Sequence, residues 1–271
     1  MKIVVPMAGR GSRFLDAANL NPEYKKPKPI INIKGKPMVA WAIDSLPFIK
    51  LPGKRVNKRI TACPQDLIFI CRRDHEEEHQ ISKVLKKLFT DGINIIFIDH
   101  ITRGAAETVL KAKEYINNNE DIIISDSDHH FNGLSLYKSI LYKDKNTEGI
   151  IPVLVPPDKE IKWSYTLFNK KRIASAVSEK DPVLAAKGAY ANIGAYYFSK
   201  GKTFVNEAEE MIRENDMYGP DDKKEFYIAP IYNRLIKKGM KIKVSILPKV
   251  WNLGAPKDVQ YFLDNYPNGT I

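Results

Sequence analysis

The residues that could do chemistry in this chain begin with a glycine loop and the cations around it. Residues 7–14 read Met-Ala-Gly-Arg-Gly-Ser-Arg-Phe, so Ala8, Gly9, Gly11 and Ser12 form a small-residue turn that ends on Arg13. Glycine lets backbone N–H groups approach a ligand closely, and successive N–H groups in such a turn make an anion-binding concavity. A second cationic cluster follows at Lys25-Lys26-Pro27-Lys28-Pro29. Backbone donors with fixed cations beyond them make a pocket for a polyphosphate. Two familiar glycine loops are excluded. The third glycine of a dinucleotide fingerprint would fall on Phe14, and a P-loop would end Gly-Lys-Ser/Thr where this chain has Gly11-Ser12-Arg13.

Further candidates lie far along the chain. Asp126 and Asp128 stand two positions apart at the end of the apolar run 121–125, so both carboxylates can point to one side. A hard cation such as Mg²⁺ takes one or two carboxylates plus substrate phosphates, although strand-terminal aspartates also cap helices or form Asx-turns. His129 and His130 follow without a third ligand at metal-site spacing, and are read as turn or packing residues. Glu179-Lys180 and Asn192-Ile193-Gly194 complete the set with Trp251-Asn252. Taken singly, these are an exposed ion pair, a turn or bulge, and a core tryptophan with its neighbour.

Taken in order, these motifs resemble the nucleotidyltransferases that make nucleotide-sugars and related activated compounds. The opening loop is similar to that family's Gly-x-Gly-Ser/Thr-Arg-Phe/Leu, with Lys28-Pro29-Ile30 as its Lys-Pro-Leu/Ile. Gly104-Ala105-Ala106-Glu107-Thr108 echoes the segment near the nucleotide base. Glu179-Lys180-Asp181-Pro182 looks like the Glu-Lys-Pro element with one inserted residue, and Asn192-Ile193-Gly194-Ala195-Tyr196 like the Asn-x-Gly-x-Tyr strand beside the acceptor. Residues 251–258 resemble Trp-Asp-Ile-Gly-Thr-Pro-x-Asp, except that Asn252 stands where the family has its second metal-binding aspartate.

The resemblance implies a role for each position. Arg13 and Lys28 are the catalytic cations, with Lys26 a rival for the place of Lys28. Ala8, Gly9, Gly11, Ser12, Lys26, Gly104 and Ala105 hold the nucleotide, and Glu179, Lys180, Asn192 and Gly194 hold the acceptor. Asp128, with Asp126 and Asn252 beside it, binds Mg²⁺ as the cofactor. The amide of Asn252 can ligate but brings no charge, so Asn252→Asp is expected to keep or raise activity.

Positioning these residues calls for a layered scaffold. Apolar runs of strand length occur at 2–6, 66–71, 93–98, 121–125, 149–155, 190–198 and 242–247, with a hairpin at 164–168 and 173–177. Helical periodicity marks 38–46, 76–89, 108–115, 204–215, 228–239 and 258–266. Strand–helix alternation predicts an α/β fold, three-layered and Rossmann-like, with a mixed, mostly parallel sheet. The loops after Val5, Ile98 and Ile124 then share one sheet edge, where ligands bind in such folds. The expected organisation is a single domain over 1–271, with a nucleotide-binding half at 1–130 and an acceptor-binding half at 131–271.

Composition bounds the remaining classes. The chain has 271 residues, 44% hydrophobic and 28% charged, as in an ordinary globular protein. No apolar run approaches the roughly 20 residues that span a bilayer. No leader pattern opens the chain, and Cys63 and Cys71 read as reduced thiols, so a cytoplasmic protein is expected. The net charge of +11 is spread along the chain, with a local basic excess only at 50–59 around Pro52 and Gly53. That spread favours a lysine-rich surface over a nucleic-acid face.

The expected activity is transfer of NMP from an NTP to a sugar 1-phosphate, giving an NDP-sugar and pyrophosphate, within nucleotide-sugar and polysaccharide biosynthesis. The partners are the NTP and a phosphorylated small-molecule acceptor, with no nucleic acid or membrane and with room for a homo-oligomer. The alternatives are a cytidylyltransferase acting on a phosphocholine-like or phosphorylated amino-acid-like acceptor, and a non-catalytic nucleotide-sugar sensor.

Overall fold

In the computed structural model, residues 1–51, 56, 59–158, 160–219 and 224–267 are described. Most of the basic stretch at 50–59, including Pro52 and Gly53, lies outside them. Strand β1 (Lys2–Pro6) enters the core at once, with Ile3, Val4 and Val5 fully buried. A small ribbon follows, β2 (Asn32–Ile33) against β3 (Lys36–Pro37), leading into the helix Met38–Asp44. Strands β4 (Leu67–Arg72), β5 (Asn94–Ile98) and β6 (Ile122–Ser125) lie parallel to β1 in the order β6-β1-β4-β5. Their alternating side chains feed two apolar layers: Ile3, Val5, Phe69 and Ile123 on one face, Val4, Ile68, Ile70, Ile122 and Ile124 on the other.

Past β6 the chain makes a short strand, β7 (His129–Phe131), and then builds the other half of the sheet. Its strands are β8 (Thr147–Leu154), β9 (Ser164–Phe168), β10 (Ala174–Glu179), β11 (Tyr190–Asn192), β12 (Ala195–Phe198) and β13 (Lys241–Ile246). Among the described residues the ten strands of the main sheet run β10-β9-β11-β8-β12-β6-β1-β4-β5, with β13 also paired to β8. Strands β1, β4, β5, β6, β8, β9 and β13 share one direction, and β10, β11 and β12 run against them. This is the mixed, mostly parallel α/β architecture expected. Strand β14 (Val250–Asn252) leaves the sheet to pair with β7, and the helix Pro256–Asn265 closes over it. No helix among the described residues is long and apolar enough to cross a membrane.

Three local expectations are corrected. The single helix over 76–89 is two, Arg73–His79 and Ile81–Phe89, broken at Gln80 with φ 48°. The Glu76 carboxylate accepts from Ser82 N and Oγ at 2.8 and 2.6 Å, capping the second helix. The single strand over 190–198 is β11 and β12, split by Gly194 at φ 73°, so that β11 pairs with β9 while β12 pairs with β6. The helix over 108–115 begins earlier, as Ala105–Val109, and passes through a 3₁₀ turn at Leu110–Ala112 before Lys113–Ile116.

Candidate active site

Parallel strands place their C-terminal ends on one edge, and the glycine loop emerges there from β1. Met7 N donates to Ile70 O at 2.8 Å, keeping the loop's first residue in register with β4, and Ala8 is buried. Gly9 and Arg10 are exposed. Gly11 takes φ 67° and leads into the one-turn helix Ser12–Leu15, a left-handed step that favours glycine. Among the described residues the N–H groups of Gly9 to Ser12 have no protein acceptor. They are donors presented at a strand end. Phe14 anchors the turn from below, packing edge-on against Tyr24 with ring centroids 5.1 Å apart.

The two rival lysines separate cleanly. Lys26 pairs with Glu23 at the surface. Lys28 opens a 3₁₀ turn, Lys28–Ile30, whose Pro29 and Ile30 are buried, and its Nζ makes an ion pair with Asp128 Oδ2. The Cα of Gly11 lies close beneath it, since an added Cβ would stand 3.6 Å from Lys28 Cβ. The geometry therefore brings Lys28, rather than Lys26, to the acidic residues.

Asp128 is met from the other side by the end of the chain. Register in the β7–β14 ribbon sets Asn252 opposite His129, and Leu253 N donates to Asp128 O at 2.8 Å. Trp251 is buried against Phe262, holding the ribbon in place. Gly254 has no Cβ, and one placed there would lie 3.1 Å from both Asp128 Oδ2 and Asn252 Oδ1. Two hard oxygens thus face a space that a side chain at 254 would fill. A carboxylate and an amide oxygen suit Mg²⁺, which completes its shell with water and substrate phosphate. No cluster of three His, Cys, Asp or Glu side chains at metal-ligand spacing exists among the described residues. Arg13 Nη1 reaches Gly254 O at 3.5 Å, so the loop cation stands at the same spot.

The two aspartates are pushed in opposite directions. Burial, and then the neighbouring Asp128 carboxylate, push Asp126 well above the ordinary carboxylate range. Burial pushes Asp128 the same way, but the Lys28 ammonium outweighs it and holds Asp128 below that range. Asp126 is also turned toward the second half of the molecule: its N–H donates to Gly194 O at 2.7 Å and its carboxylate lies over Gly194. His129 is buried and pushed down to about 4 by that burial, with Nε2 at 3.4 Å from Ser125 Oγ. His130 Nδ1 lies 3.0 Å from Trp41 O. Both are packing residues, as expected.

The residues expected on the acceptor side gather at β9, β10 and β11. The Glu179 side chain is buried and accepts from Ser164 Oγ, and that burial raises its carboxyl above the usual range. Asn192 Oδ1 accepts from Thr166 Oγ1 at 2.6 Å, and its buried Nδ2 has no partner among the described residues. Lys180 stands at the end of β10 with φ 50°, its N–H on Trp163 O at 2.9 Å and its Nζ on Tyr227 OH at 2.9 Å.

Gly104 and Ala105 sit differently. Gly104 has φ 148°, and a Cβ there would meet Phe226 N at 2.5 Å, while Ala106 N donates to Phe226 O at 2.9 Å. The glycine is needed for this close backbone approach. Sequence reasoning did not single out Ser164, Thr166 or Tyr227. Ser164 and Thr166 carry the ordinary alternation of a strand, and Tyr227 stands just before a helix with no motif around it.

The pattern of the Nucleotidyl transferase family matches residues 7–250. No curated protein matches by sequence. The fold is similar to a nucleoside-diphosphate-sugar pyrophosphorylase from Vibrio cholerae RC9, at TM-score 0.71 and 22% identity over 97% of this chain and 99% of that one. It is also similar to a protein from Bacillus anthracis assigned as a glucose-1-phosphate thymidylyltransferase and solved with sucrose, at TM-score 0.70 and 17% identity over 99% and 97%. The inositol-1-phosphate CTP transferase of T. maritima matches at TM-score 0.66 and 15% identity over 98% and 97%. This chain belongs to the nucleotidyl transferase family and is an enzyme of the nucleotidyltransferase type.

Proposed function

We propose that this nucleotidyltransferase moves NMP from an NTP onto a sugar 1-phosphate. An oxygen of the acceptor phosphate attacks the α-phosphorus in line, the bond from the α-phosphorus to the bridging oxygen breaks, and pyrophosphate leaves with the electron pair. The attacking oxygen is already anionic, so no general base is needed, and catalysis becomes positioning and charge neutralisation. The N–H groups of Gly9 to Ser12 receive the β- and γ-phosphates, and Arg13 stands over the leaving pyrophosphate. Lys28, released from Asp128, reaches the α-phosphate, and Gly104 and Ala105 border the base. Lys180 takes the acceptor phosphate, and Asn192 offers its unpartnered Nδ2 to an acceptor oxygen, beside Glu179 and Gly194. Asp128 and Asn252 would hold Mg²⁺, whose charge would neutralise the phosphates.

The observation that carries this reading is the convergence of Lys28, Asp128, Asn252 and Arg13 around Gly254 at the end of β1 and β6. Those groups are the wrong set for a nucleophilic triad and the right set for a triphosphate. A second reading is supported on the acceptor side, where the carboxyl groups of Asp126 and Glu179 lie near Tyr196. An ammonium entering there would favour their ionised forms over the protonated ones that burial favours, so a phosphocholine-like acceptor with CTP is the second reading. The test crosses the five common NTPs with glucose 1-phosphate, other hexose 1-phosphates, inositol 1-phosphate and phosphocholine, and reads pyrophosphate. Release with a hexose 1-phosphate is expected. Nucleotide-dependent thermal stabilisation without pyrophosphate from any pair would replace the enzyme reading with that of a sensor.

A further inference from the structure

Lys180 has an unusual amount of structure invested in where its ammonium points. Its backbone occupies the left-handed region, φ 50°, which disfavours a residue that carries a Cβ. The peptide is held there by the bond from its N–H to Trp163 O. Its Nζ donates to the hydroxyl of Tyr227 at 2.9 Å, lies 4.9 Å from the centre of that ring, and stands 3.9 Å from Glu179 Oε1. A lysine side chain left to itself samples many rotamers, so each fixed contact removes freedom that ligand binding would otherwise have to remove.

Tyr227 is itself fixed. The preceding residue, Phe226, is fully buried, donates its N–H to Arg103 O at 2.9 Å and accepts from Ala106 N at 2.9 Å. A Cβ on Gly104 would stand 2.5 Å from Phe226 N, so the two backbone segments pack closely here. Arg103 stacks over the Phe226 ring with its guanidinium 4.9 Å from the centre. A tyrosine on so constrained a backbone presents its hydroxyl at a fixed point.

We infer that Tyr227 is a positioning residue that holds the Lys180 ammonium ready for a phosphate, using one of its three N–H donors and leaving the others for phosphate oxygens. This rests on the reading that Lys180 receives the acceptor phosphate. Tyr227 touches no reacting atom and acts only through Lys180.

The test measures the acetylation rate of Lys180 by acetic anhydride, read by peptide mass spectrometry as a function of pH, with exposed Lys187 as the internal reference and inorganic phosphate as the ligand probe. In the unsubstituted protein Lys180 reacts more slowly than Lys187, and phosphate slows it further. In Tyr227→Phe, which keeps the ring and removes the hydroxyl, the Lys180 rate rises about three- to tenfold, its pH profile moves to lower pH, and phosphate protection weakens by a similar factor. The Lys187 rate and the melting temperature stay where they were. An unchanged Lys180 profile in Tyr227→Phe overturns the inference. A changed profile without phosphate protection in either protein leaves the Tyr227 contact standing and overturns the acceptor-phosphate reading instead. Should Tyr227→Phe fail to fold, Tyr227→His carries the comparison, since the shorter ring ends short of the hydroxyl's position and loses the bond, with a Lys180 rate above that of the unsubstituted protein as the supporting result.

Discussion

The amide nitrogen of Asn252 donates to Asp258 Oδ2 at 2.9 Å, and this fixes which end of the amide faces the site. With Nδ2 committed to Asp258, Oδ1 turns the other way and accepts from Gly254 N at 3.1 Å, beside Asp128. Asp258 is half-buried, and that burial already raises its carboxyl.

The contact sets a cost against the expectation that Asn252→Asp would keep or raise activity. A carboxylate at 252 would face Asp258 at hydrogen-bond distance, so the pair must either share a proton or separate. Loss of the bond costs about 1–2 kcal/mol, and Asn252→Asp is expected to melt lower and turn over more slowly. Adding Asp258→Asn restores one amide and one carboxylate at the pair. Melting temperature and pyrophosphate release in the two variants check it, and a fully active, fully stable Asn252→Asp would show that Asp258 does not set the amide.

Asp126 and Asp128 should respond unequally to loss of charge. Asp128 is held ionised by Lys28, whereas burial raises Asp126 and favours its protonated form. Asp128→Asn therefore removes a working charge, with an expected fall in kcat of about a hundredfold or more, on the scale of one lost electrostatic contact in a dry site. Asp126→Asn imitates a state already favoured and costs about tenfold or less. Parallel kcat measurements at neutral pH decide it. Equal losses would mean that both carboxylates work as anions.

Much of this was legible in the sequence, for a physical reason. Strand β1 and the glycine loop are contiguous, so residues 2–14 carry their own register, turn and charges. What stayed hidden depends on pairing across distance. The three-residue strands β7 and β14 are too short to show alternation, yet their register is what sets Asn252 beside Asp128. The break at Gln80 interrupts a continuous helical period, because the Glu76–Ser82 cap competes with helix propagation. Tyr227 meets Lys180 only through folding, and nothing local to either residue marks the contact.

Cys71 offers a check on the buried sheet. Burial pushes its thiol up to about 12, while Cys63 is only partly buried. A group whose folded value is raised stays protonated until the pH nears that value, so the Cys71 thiolate is scarce across the whole neutral range. One thiol per chain should react with a disulfide reagent in the native protein at pH 8, and two after denaturation. A second fast thiol in the native state would place β4 closer to solvent than its packing between β1 and β5 allows.

Gly194 joins the two halves of the site, and its substitution should act through Asp126. Its φ of 73° disfavours any side chain, and a Cβ would lie 2.3 Å from Asp126 Oδ2 and 3.0 Å from its Cγ. Gly194→Ala therefore carries two penalties, backbone strain of about 1 kcal/mol and displacement of a carboxylate packed over the glycine. The second is removable. In Asp126→Ala the carboxylate is gone and only its Cβ remains, 3.2 Å from the added Cβ, so Gly194→Ala in that background should destabilise the protein by little more than the backbone term. A double-mutant cycle in urea measures the difference, which should be about 1–2 kcal/mol of coupling for residues in direct contact. Additive losses would mean that the Asp126 carboxylate does not rest on Gly194, and that the split between β11 and β12 owes nothing to the residue it faces at the end of β6.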